Sequence, residues 1–139
     1  MCVLLVLALS LSLAHGKEWY ENMAGTKITT MKHWTTFLSQ NYGKVIIVET
    51  YQKWCPPCER SAPFYSQAAV QVFKSEFGGK FAFAKVDVQE NSDFMYRYGV
   101  KRTPSTLMFD KNGELVSWYA GKHAAVQEYI DWMMSKLKE

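Results

Sequence analysis

The chain has 139 residues, 48% of them hydrophobic and 15% aromatic, which is enough for one packed core and too little for two ordinary domains. Charged residues make up 21%, the formal net charge is +3, and acids and bases are interspersed. The cationic clusters or Cys/His pairs that mark a nucleic-acid-binding module are missing, and no nucleic-acid partner is expected.

The first sixteen residues contain no acid, lysine or arginine. Within them Cys2 to Leu13 form an apolar run followed by Ala14-His15-Gly16, the shape of a removable secretory signal. The run is well short of the roughly 20 residues that cross a bilayer, so no stable membrane insertion is expected once the signal is removed. The only positive charge ahead of the run is the amino terminus, and an apolar tail on a cytosolic protein is the alternative. The expected division is a signal peptide at 1–16 and one domain at 17–139. Cys2 then leaves with the signal, and the mature chain keeps Cys55 and Cys58. These are a redox pair or half of a metal site, because a framework of structural disulfides needs at least four well-separated cysteines.

Along the domain, Met31, Trp34, Phe37 and Leu38 fall on one helical face, with Thr30 as N-cap and Gly43 closing the segment after Asn41. Val45 to Val48 is a β-branched run apolar on both faces, read as a central strand that ends in Glu49-Thr50-Tyr51. After Trp54-Cys55-Pro56-Pro57-Cys58, small and apolar residues recur at Ala62, Tyr65, Ala69, Val72 and Phe73. They predict a long helix kinked near Pro63 and ended by Gly78-Gly79. Phe81 to Asp87 reads as a strand and Asp93 to Tyr98 as a short helix stopped by Gly99. Thr106–Asp110 and Leu115–Tyr119 flank the Asn112-Gly113 hairpin signal. Val126, Ile130, Met133 and Leu137 mark a C-terminal helix, and a short strand is expected near Lys27 to Thr29. This order predicts a mixed α/β sheet with helices on both faces. Trp34, Phe37, Phe64 and Phe73 are expected in the core, while Lys101-Arg102 and Lys122-His123 read as solvated charges.

A Cys-x-x-Cys between a buried strand and a helix has a specific chemical logic. The first cysteine meets free N–H groups and the positive end of the helix dipole, which favour a thiolate. Cys55 is therefore the expected nucleophile. Cys58, one turn on, is the expected resolving thiol, and together they support dithiol/disulfide exchange. Pro56 and Pro57 have no amide hydrogen, so the Cys58 N–H is the one local donor to the Cys55 sulfur. That predicts a reduction potential nearer the reducing end (about −270 mV) than the oxidising end (about −120 mV) of such pairs. A zinc site would need two more ligands, and His33 and His123 lie outside finger-like spacing. No metal or other cofactor is expected.

These residues resemble the thioredoxin superfamily from about Lys27 to the C-terminus. The resemblance rests on Trp54-Cys55-Pro56-Pro57-Cys58, Pro63, Lys85, Thr103-Pro104 and Gly121, and it implies the thioredoxin fold. It also implies that Thr103-Pro104 is a cis peptide beside the cysteines and that the backbone around Thr103 pairs with an extended substrate segment. Glu49 would lie beneath Cys58 with a raised pKa and take its proton, and Lys85 would be its ion-pair partner. Trp54 would be a partly exposed platform for substrate beside Pro56 and Pro57. Glu49, Tyr51 and the signal peptide look more like one domain of a protein disulfide isomerase, although the motif lacks the Gly-His pair of those isomerases and no KDEL-type signal is seen.

The expected activity is exchange or reduction of disulfides in secretory-pathway proteins, in the lumen or outside the cell. A reductase or another thiol redox partner would recycle the pair, and monomer is the default state. Two other readings stay open: a lumenal oxidase or isomerase, and a binding or chaperone-like module that uses the groove without turnover.

Overall fold

The computed structural model describes residues 18–120 and 125–138. The signal peptide expected at 1–16, and Gly121, Lys122 and His123, lie outside the described residues. The elements in chain order are α1 (Trp19–Asn22), β1 (Thr26–Ile28), α2 (Met31–Gln40), β2 (Val45–Tyr51), α3 (Pro56–Lys74), β3 (Phe81–Asp87), α4 (Ser92–Tyr98), β4 (Ser105–Phe109), β5 (Leu115–Ala120) and α5 (Val126–Met134). Helix α1 carried no sequence signal strong enough to be expected.

The strands form one sheet in the order β1-β3-β2-β4-β5. Strands β1, β3 and β2 pair in parallel, and β4 and β5 are added antiparallel. Strand β2 lies at the centre and is buried along its whole length. Its side chains alternate between two cores. Val45, Ile47 and Tyr51 pack under α3 and α5 with Cys58, Ala62, Tyr65, Tyr129 and Met133. Ile46 and Val48 face α2 and α4 with Trp34, Phe37, Phe94 and Phe109. The apolar run predicted as a doubly covered strand is one because helices cover both faces.

Local chemistry sets the helix limits. The Thr30 hydroxyl accepts the His33 N–H at 3.0 Å and starts α2. Gly99, at φ 67°, caps α4 in the left-handed region that glycine tolerates best. Helix α3 begins on Pro56 and Pro57 and runs through Pro63. It stops at Lys74, short of Gly78-Gly79, because the Ser75 hydroxyl donates to the Val72 carbonyl at 2.6 Å and takes over the last turn. Gly78 is still required, since a Cβ there would collide with the Phe73 carbonyl oxygen. In the hairpin, the Asp110 carboxylate accepts the N–H groups of Asn112 and Glu114 at 2.9 and 3.0 Å.

Two core expectations are corrected: Phe64 is only partly buried, and Phe73 lies at the surface. Phe73 is 66% exposed, because it follows Val72, which points inward, and so sits about 100° further round α3. In α5 the buried residues are Tyr129 and Met133. Val126, Ile130 and Leu137 are only partly covered, and Leu137 falls in a final 3-10 turn. Tyr129 takes the inner position by packing its ring edge-on to Tyr65 and Tyr119, at 5.9 and 6.2 Å.

Candidate active site

Strand β2 ends at Tyr51 at one end of the central sheet, Gln52 and Lys53 carry the chain to Trp54, and α3 starts immediately after Cys55. Cys55 is the N-cap of α3. Its sulfur accepts the Cys58 N–H at 3.2 Å, as expected where two prolines remove the other local donors. Cys55 and Cys58 are joined as a disulfide. Both pack in the same core cluster but differ in access: Cys55 is 9% exposed and borders a surface cleft of about 390 Å³, whereas Cys58 is 2% exposed and does not line it.

The Thr103-Pro104 peptide is cis, and Pro104 is buried. The Cys55 sulfur lies 3.6 Å from the Thr103 hydroxyl oxygen and 3.7 Å from its carbonyl oxygen. The segment is braced from behind, where Thr50 Oγ1 donates to the Ser105 carbonyl at 2.7 Å and accepts the Ser105 N–H at 3.1 Å. Trp54 is 91% exposed, a fuller exposure than the partial one expected.

Glu49 sits on the same face of β2 as Val45, Ile47 and Tyr51, the face that α3 and Cys58 cover. It is 1% exposed. One carboxyl oxygen accepts the Thr106 hydroxyl at 2.9 Å from the facing position on β4, and the other has no partner. Burial pushes its pKa up to about 8, against a smaller downward pull from the Thr106 bond. The phenols of Tyr65 and Tyr129 are pushed up by burial, with the nearby Glu49 adding to the effect.

The expected Glu49–Lys85 ion pair is not formed. The two residues face each other in the β2–β3 register, but the Lys85 ammonium is turned to the carbonyls of Met23, Tyr20 and Glu21, at 2.6, 2.8 and 3.1 Å. The end of a four-residue helix leaves carbonyls unsatisfied, and a buried cation is a strong donor to them. Lys85 thus ties down α1. The Ala24 N–H adds a second tie, donating to Ser66 Oγ on α3 at 3.0 Å.

Helix α1 is what the sequence did not mark. Glu18, Trp19 and Tyr20 line the Cys55 cleft together with Lys53, Trp54, Pro56 and Glu59. Tyr20 stacks on Tyr51 at 6.0 Å and Trp19 meets the same ring edge-on at 5.8 Å. An aromatic pair this far ahead of the cysteines carries no spacing signal, and only tertiary folding brings it there. Arg102, which lines a different cavity, does not line this cleft. Among the described residues, no three His, Cys, Asp or Glu side chains are grouped as metal ligands, and no helix is long and apolar enough to cross a membrane.

A family model described as Thioredoxin matches residues 25–134. The protein disulfide-isomerase of Oryctolagus cuniculus is 33% identical over 135 residues, covering 94% of this chain and 25% of that protein. Thioredoxin H5 of Oryza sativa subsp. japonica is 26% identical over 108 residues, 76% of each chain. Among solved structures, thioredoxin from Fasciola hepatica superimposes with a TM-score of 0.65 at 25% identity, over 78% of this chain and 98% of that one. The chain thus spans about a quarter of the rabbit isomerase but nearly the whole of the fluke protein.

Proposed function

Since the chain belongs to the thioredoxin family and is a thiol–disulfide oxidoreductase, we propose that it exchanges disulfides of protein substrates, with Cys55 attacking and Cys58 resolving. The observation that carries this order is the difference in access: both sulfurs belong to the core, but Cys55 lines the surface cleft and Cys58 does not.

In the dithiol form, the Cys55 thiolate attacks one sulfur of the substrate disulfide, the S–S bond breaks, and the departing substrate thiolate takes a proton. Cys58 then gives up its proton and attacks the Cys55 sulfur. The second substrate thiolate leaves, two electrons have passed to the substrate, and the Cys55–Cys58 disulfide closes. Glu49 is the base for the second attack. With a pKa of about 8 it can both take and release a proton near neutral pH. Its partnerless oxygen gives the incoming proton a place to sit. Thr103, whose carbonyl is close to the Cys55 sulfur, offers its backbone to an extended substrate segment. Trp54 and Pro56 line the cleft it crosses, Pro57 is exposed next to them in the chain, and Pro104 is buried next to Thr103. Lys85 serves here as a positioning residue for α1.

Pro56 and Pro57 add no donor to the thiolate, which supports a reductase recycled by a thiol redox partner. A lumenal oxidase or isomerase is the second reading, favoured by the similarity to the rabbit isomerase over nearly the whole of this chain. The apolar run Cys2 to Leu13 supports a secretory-pathway address, in the lumen or outside the cell.

The test is intermediate trapping. Cys58→Ser, reduced and mixed with a disulfide-containing protein, should accumulate a mixed disulfide at Cys55, located by peptide mass, and Cys55→Ser should accumulate none. Trapping at Cys58 instead would reverse the assignment, and partner binding that survives Cys55→Ser and Cys58→Ser together would favour a non-catalytic module.

A further inference from the structure

A second cavity, of about 490 Å³, is lined in part by residues that flank the Thr103-Pro104 segment in the chain. It is lined by the loop from Tyr98 to Arg102 together with Ser105, Leu107 and Trp118. Trp118 lies on the outermost strand of the sheet, directly across from Leu107, and is 66% exposed. Val116, two residues earlier on the same face, is also exposed. Lys101 and Arg102 are exposed cations that line the cavity, and among the described residues no acidic side chain lines it.

The loop is held in shape from several directions. Tyr98 accepts the Trp34 indole N–H at 2.7 Å. Gly99 turns the chain, and the Val100 N–H returns to the Met95 carbonyl at 3.0 Å. The Ser105 hydroxyl donates to the Arg102 carbonyl at 2.7 Å. A cavity with fixed walls costs little ordering when a partner enters.

We propose that this cavity is the specificity site for the substrate segment flanking the target disulfide, and that its occupant is an acidic and apolar stretch of a partner protein. The proposal rests on the exchange reading and deepens it. A carboxylate is held by Lys101 and Arg102, whose guanidinium fork suits it, while an apolar side chain lies on the Trp118 indole. The reach is short. Arg102 is bonded to Thr103, whose carbonyl lies 3.7 Å from the Cys55 sulfur, and extended chain advances about 3.3 Å per residue. A segment pairing along Thr103 would continue past Arg102, and residues a few places from its cysteine would then reach the cavity. The two exposed cations also steer acidic segments on approach.

The experiment uses two peptides, each with one cysteine in a disulfide with glutathione, flanked by Glu and Leu in one and by Lys and Leu in the other. The prereduced protein is mixed with each, and the second-order rate constants for glutathione release are compared within each protein. The wild type should reduce the acidic peptide faster by about fivefold or more at low ionic strength, and the difference should shrink at about 0.5 M salt. Lys101→Glu with Arg102→Glu should reverse the order. In the wild type, replacing the acidic peptide's Leu by Ser should slow its reduction several-fold, and in Trp118→Ala the Leu and Ser peptides should react at similar rates. All three substituted residues are exposed, and each ratio is taken within one protein, so a change in overall activity cancels. Equal rates for the two peptides in a wild type that also reduces a small aromatic disulfide would overturn the docking site alone. A wild type that reduces none of the three would overturn the exchange reading, and this proposal with it.

Discussion

Glu49 is the residue whose surroundings matter most. A carboxyl at the end of an apolar strand is visible in the sequence, but its pKa depends on burial beneath α3 and α5, which raises it to about 8 from the ordinary 4.5 against the smaller downward pull of the Thr106 bond. The folded state then holds a proton that the unfolded chain releases. Its contribution to stability is full below pH 4.5 and is lost as pH rises to about 8. Urea unfolding of the oxidised wild type should therefore show stability falling by on the order of 4 kcal/mol between about pH 5 and pH 9. Glu49→Gln should remove most of that slope, and a wild type with a flat profile over this range would contradict the assignment. In the exchange reading the same substitution should slow release of the Cys55 mixed disulfide by about tenfold or more at pH 7, with little effect on its formation. Lys85 teaches the opposite lesson. Its position was legible, but its partner was not, because the carbonyls it satisfies belong to a helix the sequence did not announce.

At the level of elements, α3 and α1 build the cleft together. Helix α3 brings Cys55 to its N-terminus with the prolines in its first turn. If the Cys58 N–H is the main local donor to the thiolate, equilibration with glutathione should place the potential near −270 mV, and a value above about −180 mV would refute the argument from the prolines. Helix α1 is too short to stand without tertiary contacts, and Lys85 supplies several of them. Lys85→Met should lower the free energy of unfolding by about 2 kcal/mol, read by urea melting, by leaving buried carbonyls without their charged donor. It should also weaken reduction of protein substrates, because Trp19 and Tyr20 lose their anchorage at the cleft. Elements with a strong local signal, such as the Thr30 cap, the β-branched run of β2 and the Asn112-Gly113 turn, were read within a residue or two. The end of α3 was not, because the Ser75 hydroxyl bond acts before the glycines do.

At the scale of the whole molecule, the sheet separates two cores with different duties. One carries Glu49 and Cys58. The other holds Trp34 among Phe37, Phe94, Tyr98 and Phe109, with ring centroids 5.0 to 6.1 Å from it. Trp34 also fixes the Tyr98 hydroxyl that shapes the loop to Arg102. Trp34→Ala should cost about 3–5 kcal/mol in urea unfolding, and where the variant still folds it should loosen the Tyr98–Arg102 loop, read as faster amide exchange at Val100. The sequence by itself determined the element order from β1 onward, the mixed sheet and the Cys55–Cys58 pair, because strand and helix periodicity, caps and a three-residue spacing are local properties of the chain. Tertiary structure alone decided the burial of Glu49, the diversion of Lys85 to α1, the inward turn of Tyr129 in place of Ile130, and the exposure of Phe73 and Trp118. Each depends on which surfaces meet, and hydrophobic burial is non-directional, so apolar residues do not specify in sequence which of them will be covered.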